Sequence, residues 1–266
     1  MSKLSIKKEL PIKEIFGIPI FVGNKSQLLT ALSQMIESPQ DRTQVVYTPN
    51  PEQITLGFHD QSFRGYLQSA DLNLPDGAGV VWALRRQMHN SNLVAQKIPG
   101  REVFHDLLVL AQQKGWRIFL LGGKKDSSRL VVTKFQNLKR NNSDSKFDMA
   151  YDEGAIDIAN ETLSERGRVL NKIKDFRPQL LFVAYGAPWQ EKWIWENKDQ
   201  LSLYGVHLAM VVGGAIDYEA GRVARVPAWI QRLNMEWSWR LLTEPWRWRR
   251  QLKGLEFFWR TIALHP

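Results

Sequence analysis

The sequence predicts an α/β fold, in which a mostly parallel sheet is covered by helices on both faces and followed by a basic, Trp-rich helical appendage. Three observations predict it. Short apolar runs of strand length alternate with longer segments of helical character, the order of a chain that crosses back over its own sheet. The strongest runs end in glycine or proline and then polar residues: Thr48-Pro-Asn50, Pro75-Asp-Gly77, Gly122-Gly123, Gly186-Ala-Pro188 and Gly213-Gly214. From Arg222 onward, 45 residues hold eight Arg and one Lys against three Glu, and six of the eleven Trp. That tail carries +6 of the formal net charge of +9, so residues 1–221 are read as a Rossmann-like core and 222–266 as an appendage.

Taken in order, Gly17–Val22 reads as a short strand, with Asn24 capping a helix that runs to about Glu37. Gln44–Thr48 is a buried strand. Two prolines stiffen the loop around Asn50, and Pro51 suits the first turn of the next helix. Asp71–Leu74 is a short strand leading into a turn at Asp76, and Ala78–Leu84 opens a buried helix. A loop at Lys97–Val103 precedes a helix to Gln113. Gly115–Gly123 is a clear strand, followed by a helix near Ser127–Lys139. Phe147–Tyr151, a polar helix over 156–174, the strand Gln179–Tyr185, a helix from Gly186 and the strand Leu208–Gly214 complete the alternation.

The absence of cysteine excludes disulfides, thiolate metal sites and cysteine nucleophiles. The five histidines do not cluster at ligand spacing, so a histidine-built metal site is not expected. The N-terminus lacks the apolar core of a signal peptide, and no apolar run reaches the ~18 residues of a membrane span. A cytoplasmic protein is expected.

In open parallel sheets, ligands bind beyond the carboxyl ends of the strands. Five glycine- or proline-marked ends are therefore expected to converge on one composite pocket. At one of them, Asp76 lies between a proline and two glycines, where an acid can accept a proton at a pocket mouth. The alternative for Asp76 is an N-cap on the helix that follows.

In the tail, Pro227 opens one helix and Pro245 closes it. A second begins near Trp246, with Trp248, Leu252, Leu255, Trp259 and Ile262 forming one stripe. Arg249, Lys253 and Arg260 lie off that stripe. Such a helix either lies in an anionic membrane interface or docks its stripe on the protein's own core. Nucleic acid is not an expected partner, because no nucleic-acid motif is present.

These motifs, together with Phe119-Leu-Leu-Gly-Gly123, Gly186-Ala-Pro-Trp-Gln-Glu-Lys-Trp193, Gly213-Gly-Ala-Ile-Asp-Tyr-Glu-Ala-Gly221 and Glu236-Trp-Ser-Trp-Arg240, resemble the WecG/TagA/CpsF glycosyltransferases from about Gly17 to Phe257. The resemblance implies inverting, metal-independent transfer of an N-acetylmannosamine-type sugar from a UDP donor. The acceptor it implies is N-acetylglucosamine on a polyprenyl diphosphate, at the inner face of the cell membrane. It implies no cofactor beyond the UDP-sugar substrate and leaves a homo-oligomer open.

By the same resemblance, Asp76 matches the general base, and Thr48, Asn50 and Gln190 match pocket residues. Gly186 opens the most specific motif. The pair Gly122 and Gly123 is expected to bring backbone N–H groups toward the diphosphate. Without a metal, arginines would stabilise the leaving UDP. Arg222, Arg225, Arg232 and Arg240 are candidates, with Arg225 first because Arg225-Val-Pro227 resembles the family's Arg-Ala-Pro. Glu191 reads as a first-turn acid favoured by the helix dipole. The loop departs from the family at Lys97, where Arg is common, and at Gly100-Arg101-Glu102, so Arg101 is expected to take over part of that contact.

The alternatives are the same fold with another UDP-sugar and lipid-linked acceptor, or a non-catalytic nucleotide-sugar or lipid-binding protein. UDP release separates them.

Overall fold

The structure is a computed structural model that describes residues 10–38, 41–88, 95–139, 147–223, 230 and 248–264. It opens with an antiparallel hairpin of β1 (Ile12–Ile15) and β2 (Ile18–Phe21), set apart from the main sheet. Phe16 and Gly17 form its turn with φ of 53° and 75°, the two-residue type that matches strand twist. β1 was not expected from the sequence.

Helix α1 (Lys25–Glu37) follows, with Asn24 as its N-cap in a reciprocal capping box with Gln27. Then come β3 (Gln44–Tyr47), α2 (Pro51–His59), α3 (Gln61–Ser69), β4 (Leu72–Asn73) and α4 (Ala78–Gln87). α5 (Gly100–Lys114), β5 (Arg117–Gly122), α6 (Ser127–Lys139), β6 (Asp148–Asp152) and α7 (Leu163–Phe176) succeed them. β7 (Leu180–Ala184), α8 (Trp189–Leu203), β8 (Leu208–Val211), a short α9 (Ala215–Glu219) and α10 (Trp248–Leu264) complete the order. The polar helix expected from 156 starts only at Leu163, because Thr162 caps it in a box with Glu165; a single 3-10 turn, Ile158–Asn160, precedes it.

Six strands form one all-parallel sheet in the order β4-β3-β8-β7-β5-β6. Alternate side chains of each strand face opposite sides. Phe119 and Leu121 of β5 enter one core layer with α2, α3, α4, α7, α8 and Phe257 of α10. Ile118 and Leu120 enter the other with α1, α5, α6 and α9. The expected α/β fold with both faces covered is what is found. The chain leaves β5 toward β6 and leaves β7 in the opposite direction, toward β8. The crevice beyond the carboxyl ends of β5 and β7 is thus a topological switch point.

Helix α10 of the appendage packs on the core. Phe257 is fully buried and meets Phe16 edge-on, and Phe258 packs on Trp82. Arg260 lies over the Phe58 ring, 4.6 Å from its centre, and Glu256 pairs with His59 at 2.7 Å. The face turned outward carries Trp248, Leu255, Trp259 and Ile262, exposed by 49, 59, 68 and 52%. The apolar stripe is therefore not the docking face, and Arg260 sits at the docked edge rather than on an open cationic face. Among the described residues, no helix is long and apolar enough to cross a membrane.

Candidate active site

β4 is only two residues long, and its continuation is tied down on both sides. The Leu74 N–H donates to Tyr47 O at 2.8 Å, and the Asp76 N–H closes a tight turn onto Leu74 O at 2.8 Å. The Ile98 N–H donates to Pro75 O at 3.2 Å, which brings the Lys97 loop against the Asp76 turn. Helix α4 begins one residue later than a cap at Asp76 requires. Gly77 occupies the N-cap position with φ of 100°, a conformation suited to glycine. Asp76 is half-buried at the rim.

Thr48 and Asn50 leave the end of β3. Thr48 is buried against the start of α5: a Cβ on Gly100 would lie 2.7 Å from Thr48 Cγ2. Asn50 caps α2. Its Oδ1 accepts from the Gln53 N–H at 2.9 Å, and its own N–H donates to Gln53 Oε1 at 3.0 Å. The amide Nδ2 is the polar group that this cap leaves over. Arg101, in the first turn of α5, lies over the Tyr218 ring at 5.4 Å, reaching across from β3 to the segment after β8. Thr48, Asn50, Asp76, Lys97 and Arg101 thus belong to one cluster of loops at the β4–β3–β8 end of the sheet.

At the switch point, Gly122 and Gly123 have φ of 87° and 90°. A Cβ on Gly122 would lie 2.9 Å from Tyr185 Cδ1, so close packing as well as conformation requires glycine there. Of the two N–H groups expected to meet a diphosphate, that of Gly123 is engaged within the protein. The Gly123 N–H donates to Ala184 O at 3.2 Å, and the next N–H, of Lys124, donates to Asp217 Oδ1 at 2.8 Å. The backbone here is already satisfied by the protein.

Gly186 and Gln190 shape the turn after β7. The Gly186 N–H donates to Gln190 Oε1 at 3.2 Å, and the Gln190 N–H returns to Gly186 O at 3.1 Å. Gln190 Nε2 donates to Glu191 Oε1 at 3.1 Å, and Gln53 Nε2 donates to the same oxygen at 3.0 Å. Glu191 stands in the first turn of α8, as expected, and is fully buried there. Below it, Tyr47 donates to Glu191 O at 3.3 Å. Burial, with the Glu191 charge adding to it, pushes the Tyr47 phenol far up, so it remains a neutral donor.

The Arg222 N–H donates to Asp217 O at 2.9 Å and its guanidinium lies 3.6 Å from Asp126 Oδ2, beside the segment that follows β5. Arg225, Arg232 and Arg240 lie outside the described residues. Sequence reasoning missed Asp217 and Gln53. Asp217 stands inside the motif that follows β8, and its spacing from Gly213 was the only signal. Gln53 carried one as well, as the third residue after a helix-capping Asn. Among the described residues, no three His, Asp or Glu side chains gather as a metal site.

A sequence profile of the Glycosyl transferase WecG/TagA/CpsF family matches residues 13–265. The chain is 36% identical over 208 residues to a Bacillus subtilis (strain 168) protein named N-acetylglucosaminyldiphosphoundecaprenol N-acetyl-beta-D-mannosaminyltransferase, covering 78% of this chain and 75% of that one. It is 28% identical over 250 residues to a Staphylococcus aureus (strain NCTC 8325 / PS 47) protein of the same name, covering 94% and 91%.

Proposed function

The chain belongs to the WecG/TagA/CpsF family of glycosyltransferases, and from that premise we propose that it transfers an N-acetylmannosamine-type sugar from UDP to lipid-linked N-acetylglucosamine. The transfer is inverting and needs no metal, and the acceptor is carried on a polyprenyl diphosphate. The observation that carries this reading is the Asp76 turn: a carboxylate at the carboxyl edge of the sheet, pinned to β3 and to the Lys97 loop, and displaced from the helix cap by Gly77.

In this reaction Asp76 takes the proton of the acceptor hydroxyl as that oxygen attacks the anomeric carbon. The carbon–oxygen bond to the diphosphate breaks on the opposite face, and UDP leaves with the bonding pair. General-base help of this kind contributes typically about 10²–10⁴-fold.

Distance supports a placing of the other groups. Base, attacking oxygen, anomeric carbon and leaving phosphate span on the order of 8 Å, since each reacting contact is ~3 Å. Strands are ~4.8 Å apart, so from β4 this reach ends over β3 or β8. Gly122 and Gly123 stand four strands from β4, roughly 19 Å at that spacing. The diphosphate therefore belongs beside Arg101, Lys97, Thr48 and the N-terminus of α5, and the nucleoside toward the ends of β7 and β5. Cations and a helix N-terminus aimed at the leaving group supply charge stabilisation in place of a metal.

The protein works peripherally on the inner face of the membrane, with the exposed stripe of α10 in the interface, and Arg225 and Arg232 of the tail help to stabilise the leaving UDP. The test is UDP release from UDP-N-acetylmannosamine with a short-chain prenyl-diphosphate-N-acetylglucosamine, in the presence of EDTA. Acceptor-dependent release that survives EDTA is expected. Release that requires an added divalent cation would refute the metal-free mechanism, and no release with this pair would refute the assigned substrates.

A further inference from the structure

A glutamine side chain is nearly symmetric in shape, so what it offers a ligand depends on which way its amide is turned. In Gln190 that choice is fixed from two sides. The Gly186 N–H can only donate, so the atom facing it at 3.2 Å is Oε1. Glu191 Oε1 receives Nε2 at 3.1 Å. Gln53 is fixed in the same way, between the Asn50 N–H at 3.0 Å and the same Glu191 oxygen at 3.0 Å. One buried oxygen thus gathers the amides of two glutamines from two strand ends, after β3 and after β7. Turning Gln190 over would set N–H against N–H at Gly186 and oxygen against oxygen at Glu191.

The Gln190 oxygen borders the end of β8: it lies 3.9 Å from the position a Cβ on Gly213 would take, an ordinary contact distance. A carbonyl oxygen has two lone pairs, and the Gly186 N–H uses one. A first-turn acid serving only the helix dipole gains nothing by being enclosed, whereas Glu191 is fully buried.

We propose that Glu191 is a positioning residue for the donor substrate. It holds Gln190 with a carbonyl oxygen, and not an NH2 group, toward the cleft, so the donor is met there through one of its own hydroxyl or N–H groups. This rests on the cleft being the nucleotide-sugar site. Glu191 acts through Gln190, and the two residues are energetically one unit.

The experiment is a double-mutant cycle on donor kcat/KM and on equilibrium binding of the UDP-sugar, with Glu191→Met, Gln190→Met and the double variant. Glu191→Met and Gln190→Met are each expected to lower donor kcat/KM about ten- to a hundredfold, the loss typical of one hydrogen bond to a buried group. The double variant is expected to be no worse than Gln190→Met by more than about threefold. Glu191→Gln keeps a carbonyl oxygen for both amides and is expected to retain most of the activity. Multiplying losses in the double variant would reduce Glu191 to a general stabiliser and overturn the proposal. So would full activity of Gln190→Met, which decides the matter even if Glu191→Met fails to fold. A wild-type protein that neither turns over nor binds the donor removes the proposed function and this inference with it. An active wild type with independent losses removes the inference alone.

Discussion

Gly79 and Phe258 meet where the C-terminal helix touches the helix that follows Asp76: a Cβ on Gly79 would lie 2.8 Å from Phe258 Cζ and 2.7 Å from Pro51 Cγ. Phe258 also packs on Trp82. Helix α10 of the appendage therefore braces the two loops that carry Asn50 and Asp76. Helix propensity alone favours alanine over glycine by ~1 kcal/mol. Two contacts this short reverse the sign, because the proline ring cannot turn aside. Gly79→Ala is expected to destabilise the protein by about 1–3 kcal/mol and to lower turnover as the Asp76 turn shifts. A melting curve and a UDP-release assay on the same preparation check it; an unchanged or raised melting temperature would show that α10 yields instead.

Asp76→Asn keeps the shape of the side chain and removes the base. Since Gly77 and not Asp76 occupies the N-cap position of α4, the folded state is expected to keep its stability to within about 1 kcal/mol, less than a lost cap can cost. Acceptor-dependent UDP release is expected to fall at least about 10²-fold. Equal loss of stability and activity would return Asp76 to a structural part.

The order of strands and helices was legible because parallel strands buried on both faces leave short apolar runs, and because Asn24, Asn50 and Gly115 mark helix ends in their own local sequence. The strand-end residues Thr48, Asn50, Asp76, Gly122, Gly186 and Gln190 were legible for the same reason: strand ends and turn residues are local signals. What local sequence does not record is which tertiary partner a group finds. Glu191 looks like any first-turn acid until Gln53, far away in the chain, reaches it. Helix α10 has two apolar faces, and the stripe of Trp248, Leu255, Trp259 and Ile262 competes with Phe257 and Phe258 for the core. The phenylalanines win because Phe16, Phe58 and Trp82 wait for them. The glycine pair after β5 signalled a turn correctly but not that Ala184 and Asp217 would take up the neighbouring N–H groups.

Asp152 offers a pH test at the far edge of the sheet. Burial acts to raise its pKa, but hydrogen bonds from Lys172 at 2.7 Å, from Arg168 and from the Gly154 N–H outweigh burial and hold it below the ordinary carboxylate range. A depressed native pKa contributes stability that is fully present above the unfolded value, ~3.9, and is lost as pH falls through the native value. Asp152→Asn is therefore expected to cost about 1–3 kcal/mol near neutral pH. The gap between the two proteins should narrow as pH falls below the unfolded value, ~3.9, and close as pH passes through the depressed native value. Denaturant midpoints for both proteins from pH 2 to 7 check this, and a gap independent of pH would show that Asp152 contributes packing rather than charge.

The outward stripe of α10 has the width of a single helix face, and the residues beside Phe257 and Phe258 already anchor the helix to the core. Substituting the stripe should therefore leave the fold intact while changing what the surface binds. Each Trp or Leu moved from water into an apolar phase gains roughly 1.5–3 kcal/mol. Leu255→Glu with Trp259→Glu is expected to weaken binding to vesicles containing anionic lipid by at least about tenfold, with repulsion from the headgroups adding to the lost burial. Turnover of a water-soluble, short-chain acceptor should stay near wild type, and turnover of a long-chain acceptor in vesicles should fall with binding. A cosedimentation assay beside the two turnover assays separates these. Equal loss on both acceptors would mean that the stripe serves the site, and unchanged vesicle binding would assign membrane contact to another surface.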